Sequence, residues 1–289
     1  RMFLRGFQDS VILRFAKLNL VRGEWRKYTK SLYEAGENLS APEYSNGSMS
    51  ISAVNIEENA NKTPVNYVLP PGIDRVIDPT NPQLRQLNEQ SIVFKVKNIE
   101  DGDARAAFKN VNMDVRQYKK IKMFIHAEAL ENEILNDGDL RAFIRLGTDY
   151  RNNYYEYEIP LKVTPSGFYN NNNGSERRQV WKNEMVINLK DLPDVKLQRN
   201  QAMRSGNANI SMNTIYSILK DGAEISVRGN PNLSDLRTIM MGIRNPDQQE
   251  NTLSRDDGMP KSGEIWLNEL RLTDFREKGG WAARGRMST

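Results

Sequence analysis

Three stretches in the middle of the chain alternate hydrophobic and polar residues with a period of two. They are residues 121–129, 140–146 and 153–161. In the second stretch Arg141 and Arg145 lie opposite the apolar face, as Glu156 and Glu158 do in the third. A period of two over these lengths predicts β-strands that are each half buried, with the charged face in solvent.

Five further segments carry a strand signal, and turn-forming pairs of Pro, Gly, Asn and Asp separate them. They are residues 49–56, 91–96, 184–189, 238–244 and 264–272. Three segments have helical spacing or helix stops instead, namely residues 23–35, 81–89 and 212–220. Strands therefore dominate, and the pattern predicts a mainly β protein, an antiparallel β-sandwich with a few short helices in loops.

The two ends of the chain align with each other at a constant offset. Residues 11–22 match residues 265–276 at four apolar and two basic positions, and a Trp follows each segment, at Trp25 and Trp281. Any two amphipathic strands can align to this degree, so a chance match stays open. The alternative is a repeat, in which residues 1–36 are the last strand and helix of a preceding related β domain. Residues 37–289 would then form the β-sandwich domain.

Composition excludes several kinds of chemistry. The 289 residues include no Cys, which excludes disulfides, a thiolate nucleophile and Cys-based metal sites. One His excludes a multi-histidine metal site. The 41 Lys and Arg exceed the 37 Asp and Glu by only four, so the charge is weak evidence for nucleic acid.

Targeting signals are not apparent in this sequence. It contains no run of about 18 apolar residues, as a membrane-spanning helix needs, and no signal-peptide core at its start. The first residue is Arg1 rather than Met. We therefore expect the chain to be a piece of a longer polypeptide.

Candidate catalytic and metal-binding groups are few. His126 lies within a predicted strand, without a nucleophile elbow anywhere in the sequence, and we interpret it as a structural or surface residue. Carboxylates occur in close pairs that a glycosidase or a calcium site could use. The pairs are Asp101/Asp103, Asp137/Asp139, Glu156/Glu158 and Asp256/Asp257. We interpret Glu156/Glu158 as the solvated side of a strand, and we assign no catalytic, cofactor or metal residue. A structural calcium in the Asp-Gly-Asp loops stays open.

Two loose basic clusters and one aromatic cluster complete the list of candidates. The basic clusters are Arg22, Arg26, Lys27 and Lys30, and Arg276, Lys278, Arg284 and Arg286. Acidic residues interrupt both, so we interpret them as a solvated face or a domain junction and not as a nucleic-acid site. Tyr154, Tyr155, Tyr157 and Trp181 would suit either sugar stacking or cross-strand packing.

Several long segments of the sequence resemble the SprA/Sov family, the outer-membrane translocon of the type IX secretion and gliding-motility machinery. They are AVNIEE at 53–58, TPVNYVLPPG at 63–72, DGDAR at 101–105, NMDVRQY at 112–118, NYYEYEIP at 153–160 and WLNELRL at 266–272. The resemblance extends along nearly the whole chain. It implies a soluble part of a far longer protein whose barrel passes folded cargo, and it implies no catalytic residues.

The resemblance also implies partners and a location. Expected partners are other type IX secretion components, secreted cargo and neighbouring domains of the same chain, with membrane contact only through the parent barrel. The expected location is the outer membrane, facing the periplasm or the cell exterior. We therefore expect a non-catalytic domain that caps or braces the channel and docks partners.

A weaker resemblance, to galactose-binding-like jelly rolls, rests on the spacing from Asp114 to Tyr118 and on the strand at 265–272. It implies a jelly-roll sandwich for residues 37–289. Asn268 and Glu269 stand where such modules often place an Asp, which argues against a conventional sugar or calcium site. The alternative function is a carbohydrate-binding module with Tyr154, Tyr157 or Trp181 as stacking residues.

Overall fold

The computed structural model describes residues 24–30, 32, 47–77, 86–131, 133–206, 208–249, 251 and 256–275. These residues form two antiparallel sheets of seven and five strands and two short helices. The strands are β1 Arg26–Lys27, β2 Ser48–Asn55, β3 Gln90–Ile99, β4 Ala104–Met113, β5 Tyr118–Glu128, β6 Arg141–Gly147, β7 Tyr154–Pro160, β8 Asn183–Asn188, β9 Tyr216–Lys220, β10 Ala223–Arg228, β11 Leu236–Arg244 and β12 Lys261–Phe275. The helices are α1 Gly174–Val180 and α2 Asp191–Arg204.

The strand order is that of a jelly roll. The five-stranded sheet runs β2-β3-β12-β5-β8 and the seven-stranded sheet runs β1-β4-β11-β6-β7-β10-β9. Without the edge strands β1 and β2 and the β9–β10 hairpin, two four-stranded sheets remain, β3-β12-β5-β8 and β4-β11-β6-β7. The chain crosses between them in the double Greek-key order of a jelly roll. The predicted mainly β, antiparallel jelly-roll-like sandwich is therefore confirmed.

The main hydrophobic core lies between the two sheets. Its members alternate along the strands, as Ile121, Met123 and Ile125 do in β5 and Leu140, Ala142 and Ile144 do in and before β6. Burial of such side chains contributes about 1.5–3 kcal/mol each. This alternation is the pattern that predicted the strands.

The outer face of each sheet is also covered. Over the five-stranded sheet, residues 54–73 and α1 enclose a second cluster that includes Tyr67, Trp181 and Trp266. Over the seven-stranded sheet, Tyr28 and Leu32 close a third cluster with Phe143 and Met240. Strand β6 is consequently buried along its whole length and not half buried as its sequence predicts.

The predicted strands are confirmed with small shifts of their ends, whereas none of the three predicted helical segments is helical in its described residues. Residues 212–220 contain β9, because Asp221 and Gly222 both have positive φ and form the two-residue turn of a hairpin. Within 23–35 the described residues contain β1 and no helix. Residues 86–89 of the third segment are not helical, and the rest of it lies outside the described residues.

The sequence pattern predicts neither of the two helices that the structure contains, α1 and α2. Asn173 caps α1, accepting a hydrogen bond from the Ser175 amide at 3.0 Å, while its side chain donates to Glu176 at 2.6 Å. The pair caps the helix at the end of the Asn-rich run that the sequence analysis interprets as a loop, and Glu176 also accepts from the Asn170 amide at 2.6 Å. Helix α2 begins at Asp191 and packs against β10 and β9.

The N-terminal segment contacts the sandwich. The Tyr28 amide donates to the Ala106 carbonyl at 2.8 Å and the Leu32 amide donates to that of Ala104 at 3.3 Å. The repeat segment at 11–22 lies outside the described residues, and the domain boundary at residue 36 stays a prediction. Among the residues that the structure covers, no helix is long and apolar enough to cross a membrane.

Tyr155 provides a test of core burial through its ionisation. Burial raises the pKa of its phenol from 10 to about 12, against the opposing effect of Arg199. Above pH 10 the unfolded chain releases this proton while the folded chain retains it, so the fold loses stability as pH rises from about 10 to 12. We expect Tyr155→Phe to reduce that loss by about 1 kcal/mol per pH unit, measured by urea unfolding at pH 9 to 11.5. Equal slopes for the two proteins would contradict the buried position.

Candidate functional site: a buried Arg–Glu array and its groove

Six charged residues line up across the outer face of the seven-stranded sheet. They form the Arg–Glu array: Arg145, Glu156, Arg244, Glu158, Arg141 and Glu224. Strand register brings them together, because Arg145 lies opposite Glu156 and Glu158 lies opposite Glu224 on adjacent strands. Arg244 and Arg141 are also directly opposed, an arrangement that is repulsive unless anions intervene.

Hydrogen bonds join the array into one chain of alternating charge. Glu158 accepts from Arg141 and from Arg244, each at 2.8 Å, through different oxygens. Glu156 accepts from Arg244 at 3.1 Å through one oxygen and from Arg145 through the other. Arg141 also donates to Glu224 at 3.2 Å, at the end of the chain. Each of the four carboxylate oxygens of Glu156 and Glu158 therefore accepts a hydrogen bond from a guanidinium group.

The array is buried except at its Glu224 end. Arg145 is 1% exposed and Glu158 is 3% exposed. Burial disfavours the charged form of Glu156, but Arg145 and Arg244 outweigh this effect and lower its pKa. For Glu158, burial raises the pKa, and the neighbouring Glu156 and Glu224 add to the rise against the two arginines. The sequence prediction that Glu156 and Glu158 face solvent is wrong, because the N-terminal segment and neighbouring loops enclose this face.

An aromatic ring packs against two of the arginines, Arg145 and Arg244, from one side. The guanidinium carbons of Arg244 and Arg145 lie 5.1 and 5.4 Å from the centre of the Phe143 ring. Gly242, opposite Phe143 on β11, leaves the space for that ring, since a Cβ there would lie 2.6 Å from Phe143 Cε1. The ring and the missing side chain together hold the arginines in place.

A groove of about 260 Å³ opens beside the array. Its lining includes the array members Arg141, Glu156, Glu158, Glu224 and Arg244, together with Ile215, Ser217, Ser226, Pro246, Asp247 and Asn251. Catalysis by paired carboxylates needs one group free to donate or accept a proton. Guanidinium groups hold both oxygens of Glu156 and of Glu158, so neither of these carboxylates has an oxygen without a hydrogen bond. The groove can bind polar or charged groups.

The single histidine lies in a different cluster, on the outer face of the five-stranded sheet. His126 is fully buried, with Nδ1 3.0 Å from the Val180 carbonyl and Nε2 3.2 Å from Glu128. Its ring centre lies 3.9 Å from that of Trp266, and Lys62 spans Glu128 and Glu264 above it. His126 is therefore a structural residue, which is one of the two interpretations that the sequence allowed.

Two of the three aromatic residues expected to stack on sugars are buried. Tyr154 is buried beneath Arg145, whose guanidinium lies 4.2 Å from its ring. Tyr157 packs against the main core and donates to the Val186 carbonyl at 3.2 Å. Trp181 is buried, with its indole N–H donating to the Val68 carbonyl at 2.8 Å. The structure therefore contradicts a stacking role for Tyr154 and Trp181, whereas Tyr157 is only half-buried.

The aspartate pairs are engaged in loop structure. Asp103 accepts from Arg105 at 2.6 Å, Asp137 from the Val163 amide at 2.7 Å and Asp257 from Lys261 at 2.8 Å. Within the described ranges no three acidic or histidine side chains are grouped as metal ligands.

Of the basic clusters, Arg26, Lys27 and Lys30 are exposed, and the members at 22 and 276–286 lie outside the described residues.

Arg244 tests the array because it bonds both central glutamates. Replacement by Met keeps much of its volume but leaves Glu156 and Glu158 with one guanidinium each. We expect Arg244→Met to lower the free energy of unfolding by about 3–5 kcal/mol, as for a broken buried ion pair. Arg237→Met, which removes an exposed pair with Asp235, is the control and should change it by less than about 1 kcal/mol. Similar losses in urea unfolding would show that the array is not a buried network.

Gly242 tests the support beneath the arginines. A Cβ there would meet both the Phe143 ring and, at 2.7 Å, the Arg105 carbonyl oxygen. We expect Gly242→Ala to destabilise the fold by about 1–3 kcal/mol through overpacking, measured by thermal and urea unfolding. The control is Gly174→Ala in α1, where a Cβ has nothing within 4 Å. A neutral Gly242→Ala would contradict the close packing of the ring.

The chain matches a protein family and is distantly similar to solved structures. Among solved structures, a carbohydrate-binding module that recognises mannan, TmCBM27, is similar over 63% of this chain and 72% of its own, with 11% identity and a TM-score of 0.26. No curated protein matches the chain. The family model SprA_N, described as a motility related/secretion protein, matches residues 1–289. The chain therefore belongs to the SprA_N family of motility-related/secretion proteins.

Proposed function

We propose that this chain is a non-catalytic interaction domain of a type IX protein secretion translocon in the outer membrane. In this role it caps or braces the channel and docks partners during protein export and gliding motility. Membership of a motility and secretion family supports the general role. The partners are other secretion components, cargo and neighbouring domains of the same polypeptide, in the periplasm or at the cell exterior.

The observation that carries the non-catalytic role is the saturation of the Arg–Glu array. Its two central carboxylates are the best candidates for acid–base chemistry that the sequence contains, and each of their oxygens accepts a guanidinium hydrogen bond. Breaking such pairs to free one carboxylate would cost about 3–5 kcal/mol. The charges therefore serve to hold the sheet, which is what a bracing domain requires.

Docking is supported by what remains at the surface. Part of each outer sheet face is covered, so the sandwich offers mainly strand edges, loop tips and the groove beside the array to a partner. Large apolar side chains are exposed on three separate parts of the domain, at Phe168 in a loop, Leu219 on β9 and Phe275 at the end of β12. Exposed apolar groups of this kind often mark interaction sites.

Site-specific photo-crosslinking in cells tests the proposal. A photoreactive amino acid replaces Phe168, Leu219 or Phe275 in the full-length protein, and products formed on irradiation are identified by mass spectrometry. We expect irradiation-dependent products with secretion components, cargo or other domains of the same chain from at least one position. The control is the same cells without irradiation. If all three positions give none of these partners while the protein remains assembled and export continues, the docking role is wrong.

A further inference from the structure

Strand β9 forms an edge of the seven-stranded sheet that faces no other described strand. It pairs with β10 on one side, from Tyr216 to Lys220. Its side chains alternate, with Tyr216 and Ile218 packed against the main core and Ser217 and Leu219 on the outer face. The outer side chains therefore lie on the same face as the Arg–Glu array.

An edge of this kind is usually protected by a charged residue or a proline. The one charged residue of β9, Lys220, forms an ion pair with Asp191 of α2 at 2.7 Å. Its positive charge is thus compensated within the domain. The remaining four residues of the strand are uncharged and include no proline, which leaves the edge compatible with the addition of another strand.

Apolar side chains border this edge. Leu219 is 58% exposed and Ile215, just before the strand, is 41% exposed. Met212 is 37% exposed and lies four residues before β9. They make an apolar rim next to the groove, whose lining includes Ile215 and Ser217. The aliphatic stem of a long basic side chain on the same face would cover part of this rim.

The groove presents a carboxylate to solvent near β9. Glu224 ends the array, with a half-buried side chain that accepts from Arg141 at 3.2 Å. The side chain of Glu224 is 33% exposed, whereas that of Arg141 is 6% exposed. The charge that a partner meets at this end of the array is therefore negative.

We propose that the β9 edge binds an extended segment of a partner protein by strand addition, with a Lys or Arg of that segment entering the groove beside Glu224. This inference rests on the proposed docking function and names the chemistry of one partner: a short β-forming segment that alternates a basic residue with apolar or small residues. Main-chain hydrogen bonds supply affinity in this mode, and the groove supplies specificity.

Sheet geometry allows the contact. Neighbouring strands lie about 4.8 Å apart, so a strand added to β9 places its backbone about 10 Å from that of β10, which carries Glu224. Register across the sheet aligns Leu219 with Glu224 and Glu224 with Glu158. A basic residue of the added strand opposite Leu219 therefore projects on the outer face and can extend over Leu219 to meet the Glu224 carboxylate.

Defined peptides test the inference with the 289-residue chain. The probe is an acetylated, amidated peptide with the sequence Thr-Val-Arg-Val-Thr-Val, and its counterpart carries Glu in place of Arg. Two N-methylated versions block alternate sets of backbone N–H groups. We expect the Arg peptide to bind and the Glu peptide not to bind, in calorimetry and in amide chemical shifts of residues 215–220. One methylated version should lose binding while the other keeps it, because only every second N–H faces the edge.

Glu224→Gln supplies the matched protein variant. We expect it to weaken binding of the Arg peptide by about three- to fivefold at low salt, as for a partly exposed ion pair, and added salt should reduce the difference. Glu184→Gln is the control, since Glu184 is a similarly exposed carboxylate on β8, an edge strand of the five-stranded sheet. Thermal unfolding of both variants checks that each remains folded.

Three results would overturn the inference: equal binding of the Arg and Glu peptides, equal effects of the two methylation patterns, or unchanged affinity in folded Glu224→Gln. The crosslinking experiment remains informative in each case. Crosslinks to secretion partners without peptide binding would refute only the β9 site, whereas peptide binding without any such crosslink would refute the docking role in secretion.

Discussion

The seven-stranded sheet depends on the guanidinium group of Arg244. It donates to Glu156 and Glu158 on β7, and to the Leu32 carbonyl of the N-terminal segment at 3.3 Å. The Arg244 side chain thereby joins its own strand β11 to β7 and to the N-terminal segment that covers this part of the sheet. Because a buried charge is stable only with full compensation, the array makes strand register and the position of the cover interdependent.

Covering both outer faces changes what a sandwich can offer to partners. Aromatic clusters under Tyr67 and under Tyr28 cover part of the outer face of each sheet. Reactive groups such as His126 and Glu158 lie inside these covers. The binding capacity of the domain is left at strand edges, loop tips and the polar groove, which agrees with an interaction domain of a secretion protein.

Much of the fold follows from local signals, and the errors have identifiable causes. Period-two alternation located β5, β6 and β7 because half of each strand faces the core between the sheets. The segment before Asp221 and Gly222 was assigned to a helix because its apolar spacing fits a helix and a hairpin about equally. The turn chemistry was the better signal, since both residues adopt positive φ. The capping pair Asn173 and Glu176 was hidden within an Asn-rich run.

The sequence by itself determined eight of the twelve described strands, the mainly β class and the family, because side-chain alternation and long specific segments are local properties. Only the tertiary structure decided the role of the polar faces. Alternation specifies that Arg145 and Glu156 lie opposite the core, but not that other segments cover them. Pairing between strands distant in the chain set that outcome, and it turned an apparent solvated face into a buried charge network beside a groove.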